Sequence, residues 1–228
     1  NWYLIVIIIF IGSFFTSQGN ASISGAFLAS RFSTSVNDFE KSAIYTLKMI
    51  SKGNNGSEIY NDALLFLIAA GNFEKAYYLA NTMDKFKFES PVLALTLIIE
   101  KIKKKKFDEA IKLIIKFEKQ LPAILSASMK GWIYLHKEDL NAAIIEFDSF
   151  KKQDIQFDLG TYYNAIAYAQ MGDYSKSSEI INENLNTLKV RGKSFEILKA
   201  DVLNLSGNRA KAKLSIINSI SNSLNSLT

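Results

Sequence analysis

One histidine, His136, and no cysteine occur among the 228 residues. Multi-histidine or thiolate metal sites, disulfides and a cysteine nucleophile are therefore excluded. The remaining groups able to carry chemistry are carboxylates and lysines. Asp108-Glu109, and Asp38 with Glu40, are paired acids, but nothing in their spacing converges them on one site. Each pair follows a turn signal, where acids complement the positive end of a helix dipole. No phosphate-cradling glycine loop, nucleophile elbow, dinucleotide fingerprint or His-Glu-x-x-His run occurs. No catalytic residue, cofactor or metal is expected, and His136 beside Lys137 reads as a solvated surface histidine.

The lysines are more suggestive. The chain carries 27 basic and 22 acidic side chains, a formal charge of +5, and only Arg31, Arg191 and Arg209 are arginines. Lys101 stands next to a basic patch of Lys103, Lys104, Lys105 and Lys106, followed by Phe107 and Asp108. Two readings stand beside each other: a solvated helix end and turn, or contact with an anionic lipid surface or an acidic partner segment. No nucleic-acid reading module accompanies the charge, so nucleic acid is not an expected partner.

The first residues differ from the rest. Trp2 to Phe15 is uncharged and apolar, but shorter than the roughly 20 residues that span a bilayer. It suits the apolar region of a secretory signal, with Gly19-Asn20-Ala21 as a small-x-small cleavage pattern. No basic stretch precedes it. Residues 1–21 are expected to be a signal peptide or an uncleaved signal anchor. A periplasmic protein, or one anchored in the inner membrane and facing the periplasm, follows from either.

These residues are positioned by a repeating element. A small or polar pair, an aromatic and a small residue three positions on recur as Asn37-Asp38-Phe39 with Ser42 and Gly71-Asn72-Phe73 with Ala76. Phe107 with Ala110, Leu140 with Ala143, Tyr174 with Ser177 and Arg209 with Ala212 follow. The small residues are spaced by 34, 34, 33, 34 and 35 positions. So narrow a scatter over six recurrences predicts stacked supersecondary units. Each unit reads as two helices, with apolar residues at helical spacing on both sides of the turn. Ser57 and Ser90-Pro91 are helix-start signals, and Gly71, Gly172 and Gly207 sit where helices end. Met49 and Met83 fall on the packing stripe. No alternating strand pattern occurs, so the chain is expected to be all-α.

Ala or Ser on a contact face lets two helices approach closely, and the later units repeat that provision in the first helix at Gly131, Ala165 and Ala200. Tyr134, Tyr168 and Leu203 lie one turn further on. A small residue, Tyr three later, a turn such as Gly172-Asp173-Tyr174 and a small residue again resembles the tetratricopeptide repeat. Gly131 to Phe147 and Ala165 to Ile181 match best, while Leu64, Ile98 and Arg209 depart from it. The resemblance covers about residues 23–226 and implies a right-handed superhelix of about six helix hairpins. The units run roughly 23–56, 57–90, 91–123, 124–157, 158–192 and 193–228, in a single domain of residues 22–228. More narrowly, Gly25 to Arg31 is similar to the opening of exported repeat proteins of alphaproteobacteria.

The resemblance also implies which residues face the concave surface. Leu95, Ile99 and Ile102 of the third unit, Trp132 and Leu135 of the fourth, and Tyr162 and Ile166 of the fifth are its candidate partner-binding positions. They make an apolar groove for a partner segment, with Trp132 and Tyr162 as anchors. The alternative is that these residues are ordinary core between repeats. The expected function is a non-catalytic protein–protein interaction scaffold, exported to the cell envelope. The other reading is a carrier or sensor of an apolar small molecule or lipid in the same groove.

Overall fold

A computed structural model describes residues 22–149, 159–184 and 193–225. The apolar run at 1–21 and its cleavage pattern lie outside the described residues. Twelve α-helices occur among the described residues, and no strand. They are α1 Ile23–Ser35, α2 Phe39–Ser51, α3 Ser57–Ala69, α4 Phe73–Lys85, α5 Pro91–Lys103 and α6 Phe107–Lys116. The order continues with α7 Ala123–His136, α8 Leu140–Asp148, α9 Leu159–Gln170, α10 Tyr174–Glu183, α11 Lys193–Leu205 and α12 Arg209–Asn225.

One turn geometry joins the two helices of every unit. The backbone enters the left-handed region at Asn37, Gly71, Lys105, Glu138, Gly172 and Gly207, with φ between 56° and 86°. The next N–H donates to the carbonyl five residues back: Asp38 to Ser33, Asn72 to Leu67, Lys106 to Lys101, Asp139 to Tyr134, Asp173 to Tyr168 and Asn208 to Leu203. These bonds of 2.7–3.0 Å satisfy carbonyls that the end of the first helix leaves open. The residue after the left-handed one also starts the second helix. Asp38, Asn72, Asp139 and Asp173 each accept from the N–H three positions on. Lys106 occupies the same place without a side chain that can do so.

The repeat spacing is thus a backbone fact. Each left-handed residue lies five positions before the small residue of its second helix. Ser42, Ala76, Ala110, Ala143 and Ser177 are wholly buried and Ala212 nearly so. One expectation needs correction. Ser57 is the first residue of α3 rather than its cap, and Gly56 takes the cap position without a side-chain bond. Ser90 does serve α5, accepting from Leu93 N–H at 3.5 Å.

The chain forms two compact units, up to Glu100 and from Lys101 onward. In the first, α1 packs on α2, α2 on α3 and α3 on α4. Its core includes Met49, Leu64, Leu67, Met83, Leu93 and Ile98, each contributing about 1.5–3 kcal/mol of apolar burial for side chains of this size. The seam between α1 and α2 is polar instead. Ser30 Oγ lies 2.8 Å from Thr46 Oγ1, and Thr34 Oγ1 lies 3.0 Å from Ser42 Oγ. Thr46 Oγ1 and Thr34 Oγ1 also donate to the carbonyls of Ser42 and Ser30. Hydroxyls that bond one another and the backbone can be buried without leaving a donor unsatisfied.

In the second unit α7 packs on α8, α8 on α9, α9 on α10, α10 on α11 and α11 on α12. One core gathers Ala127, Leu135, Ala143, Phe147 and Ala167. A second gathers Ala165, Ile181, Phe195 and Val202. Gly131 is buried where α7 meets the Phe147 ring of α8. Ser177 Oγ donates to the Ala165 carbonyl at 2.7 Å, so Ser replaces Ala at the contact of α9 with α10 and gains a bond.

Candidate functional site: an apolar groove with a cationic rim

The groove lies wholly within the second unit, and α7 supplies most of it. Leu125, Ser128, Met129, Trp132 and His136 recur at helical spacing and form one stripe along that helix. With the end of α5 (Ile102, Lys103), the turn residue Lys105, Phe107 at the start of α6 and Tyr163 of α9, they line an open cavity of about 640 Å³. Cavities of roughly 300–1,000 Å³ with apolar walls are the usual size for ligand pockets.

Three aromatic rings fix the floor. Trp132 lies 5.1 Å from Phe147 and 5.0 Å from Tyr163 between ring centres, and Phe147 lies 5.3 Å from Tyr163. The inclined geometries suit the edge-to-face preference of aromatic quadrupoles. Trp132 therefore has two roles: one side completes the core between the fourth and fifth hairpins, and another lines the cavity. At the mouth, the His136 ring rests against Phe107 with centres 4.8 Å apart.

The rim is basic. Lys103 and Lys105 line the cavity, and Lys104 and Lys106 are exposed beside them. Two carboxylates at the start of α6 are paired with lysines. Glu109 accepts from Lys101 at 2.9 Å and Lys106 at 3.0 Å, which holds its carboxyl below the ordinary range. Asp108 accepts from Lys137 at 2.6 Å; its carboxyl is lowered and the lysine raised in consequence. Among the described residues no group of His, Asp and Glu is arranged to hold a metal ion, and no helix is long and apolar enough to cross a membrane.

Of the candidate residues, Ile102, Trp132, Lys103 and Lys105 come together in this cavity. Leu135 does not. It is 5% exposed and belongs to the core around Phe147, because it lies about 100° around α7 from His136, whose face looks outward. Tyr162 packs against the core of α9 and α11 and donates to the Ser194 carbonyl at 3.4 Å. Ile166 is half-buried on α9 and does not line the cavity either. Leu95 is half-buried and Ile99 is 51% exposed; both belong to the first unit. The cavity is also lined by Met129, Phe107, His136, Tyr163 and Ile133, which are not among the candidate residues. The first and third continue the stripe set by Leu125 and Trp132, which was legible. Tyr163 against Tyr162 was not, since adjacent tyrosines on one helix differ only in the side they face.

The fold class is the all-α solenoid, made of consecutive helix hairpins. No family model and no curated protein matches the sequence. Solved structures do. A tetratricopeptide repeat protein from Parabacteroides merdae superposes with a TM-score of 0.70 at 12% identity, over 87% of this chain and 79% of that one. YrrB, described as a TPR protein with an unusual peptide-binding site, matches with a TM-score of 0.56 at 12% identity, over 87% and 93%. MamA of AMB-1 matches with a TM-score of 0.51 at 15% identity, over 74% and 99%. The chain has the tetratricopeptide-repeat fold.

Proposed function

We propose that the protein is a non-catalytic interaction scaffold that holds a segment of a partner protein in the groove of its second unit. The observation that carries this reading is the cavity of about 640 Å³, floored by Trp132, Met129 and Tyr163 and opening on exposed lysines. Aromatic side chains held rigid by their own packing lose little entropy when a ligand arrives, which favours binding at such a place. The peptide-binding site described for YrrB is consistent with it. The test is crosslinking and co-purification of the full chain with and without Met129→Asp. Met129 lines the cavity and is not a member of the aromatic core, so the variant should fold, as circular dichroism would verify. Loss of one crosslinked protein supports the reading. An unchanged set of partners, or a lipid bound in native mass spectra and lost on the same substitution, overturns it.

Export belongs to the same proposal, supported by the uncharged apolar run Trp2–Phe15 and the Gly19-Asn20-Ala21 pattern. A mature protein starting at Ser22 in the periplasm, found by N-terminal sequencing, would support cleavage. An intact segment in the cytosol would refute export.

A further inference from the structure

We infer that copies of this chain join head to tail, with the last helix, α12, of one copy covering the first helix, α1, of the next. The groove plays no part in this contact. Phe66, Glu100, Ile133, Ala167 and Val202 each stand ten positions before the small residue of their unit's second helix. All five are 8% exposed or less. Phe32 holds the same position in α1, yet it is 69% exposed and stands between exposed Leu28 and Val36. The second helices show the converse. Thr46, Ala80, Ile114, Phe147 and Ile181 stand four positions after the small residue, and all are 2% exposed or less. Ile216 holds that position in α12 and is 48% exposed, beside exposed Leu214 and Ile217.

The two positions belong to one kind of contact. Phe147 of α8 shares a core with Ala167 of α9, and Ile181 of α10 shares one with Val202 of α11. A second helix thus covers the first helix of the following unit, as α2 also packs on α3. Phe32 marks a first helix whose covering position is open, and Ile216 marks a second helix whose covered position is open. Each copy therefore carries both halves of an interface that it already builds within itself, which selects another copy as the occupant. Terminal units of a stacked array ordinarily turn a polar face outward; Leu28, Phe32, Ile216 and Ile217 do not. Arg31, the only charged residue of α1, is already paired with Asp62 at 3.0 Å. Lys213 is the charged residue closest in sequence to Ile216, and a lysine stem can lie along an apolar contact while its head stays in water. Because the joined surfaces differ, the contact is heterologous and propagates unless its rotation closes a ring.

The experiment follows mass against concentration for the full chain by sedimentation velocity. Phe32→Asp and Ile216→Asp are run as single variants and as an equal mixture. Both residues are exposed, so the variants should fold, as circular dichroism would verify. The unaltered chain should self-associate as concentration rises, and each variant alone should stay monomeric. The mixture should form a dimer of one copy of each and nothing larger, because the intact α12 of one meets the intact α1 of the other. An unaltered chain that is monomeric at every concentration overturns the inference, and so does association that survives in both single variants. Association lost with only one of the two substitutions means like helices pair, and overturns it as well. A mixture that stays monomeric while the unaltered chain associates has the same consequence. An unaltered monomer whose unfolding midpoint falls on Phe32→Asp overturns it in favour of residues 1–21 as the cover of α1.

Discussion

Gly131 of α7 stands against the face of Phe147 of α8 so closely that a Cβ atom on the glycine would lie 2.7 Å from both Cδ1 and Cζ of the ring, and nearer still to Cε1. Phe147 is wholly buried and touches the rings of Trp132 and Tyr163. The glycine therefore sets the approach of two helices and, through the ring it admits, the floor of the groove.

Gly131→Ala should lower stability by about 1–3 kcal/mol, because the ring is confined on its other sides and cannot retreat cheaply. Urea unfolding would measure it. Adding Phe147→Leu should restore part of the loss relative to the sum of the two single changes, since the smaller side chain makes room. Additive losses would mean the two residues do not collide.

Turn residues offer a second comparison. Gly172 has φ of 84° and nothing within 4 Å of a built Cβ, so Gly172→Ala tests backbone conformation alone. A loss of about 1–2 kcal/mol is expected. Glu138 takes the equivalent place with φ of 63°, and Glu138→Gly should raise the unfolding midpoint. No change in either direction would contradict the left-handed geometry.

Lys106 is the capping position that lacks a cap. Lys106→Asp supplies an acceptor for an N–H of the first turn and a charge that complements the helix dipole. A gain of about 1 kcal/mol in thermal or urea unfolding is expected. Glu109 keeps Lys101 as partner in that variant. Asp139→Ala, which removes an acceptor from Ala142 N–H, should cost a similar amount.

The exposed ion pairs give a pH dependence. The carboxyls of Asp38, Asp108 and Glu109 are lowered by bonds from Lys41, from Lys137, and from Lys101 and Lys106 respectively, below ordinary values of 3.8 and 4.5. The unfolded chain thus takes up protons first as pH falls. The stability these groups contribute is present above the ordinary carboxyl range and lost on acidification through their folded values. Lys41, Lys137 and Lys176 are raised above 10.5, so their contribution is complete below that value and is lost only as pH rises past it. Melting temperature should be level near neutrality and decline below about pH 4–5. Lys137→Met should remove part of the acid dependence, and added salt should flatten it further.

The period, the all-helical character and the placing of each turn were legible in the residues. A small residue every 33 to 35 positions, with a capping Asp or Asn four before it in most units, states a local backbone geometry. Local geometry depends on near neighbours in the chain, so Gly71, Asp139 and Ala143 announce themselves. The polar seam of Ser30, Thr34, Ser42 and Thr46 was less visible. Hydroxyl residues at core spacing read as surface until their bonds to one another are seen.

The rotation of individual side chains was decided by tertiary packing. Leu135 and His136 are neighbours in sequence, yet one closes the core and the other edges the groove. Tyr162 and Tyr163 divide similarly, between Ser194 and Trp132. A difference of 100° per residue separates core from surface on a helix, and only the helices packed around it fix which side is which. The sequence alone determined a repeat of helix hairpins carrying a dense run of lysines. Three-dimensional packing decided that Lys103 and Lys105 edge an apolar cavity floored by Trp132, because residues on α5, α7 and α9 meet only once the hairpins stack.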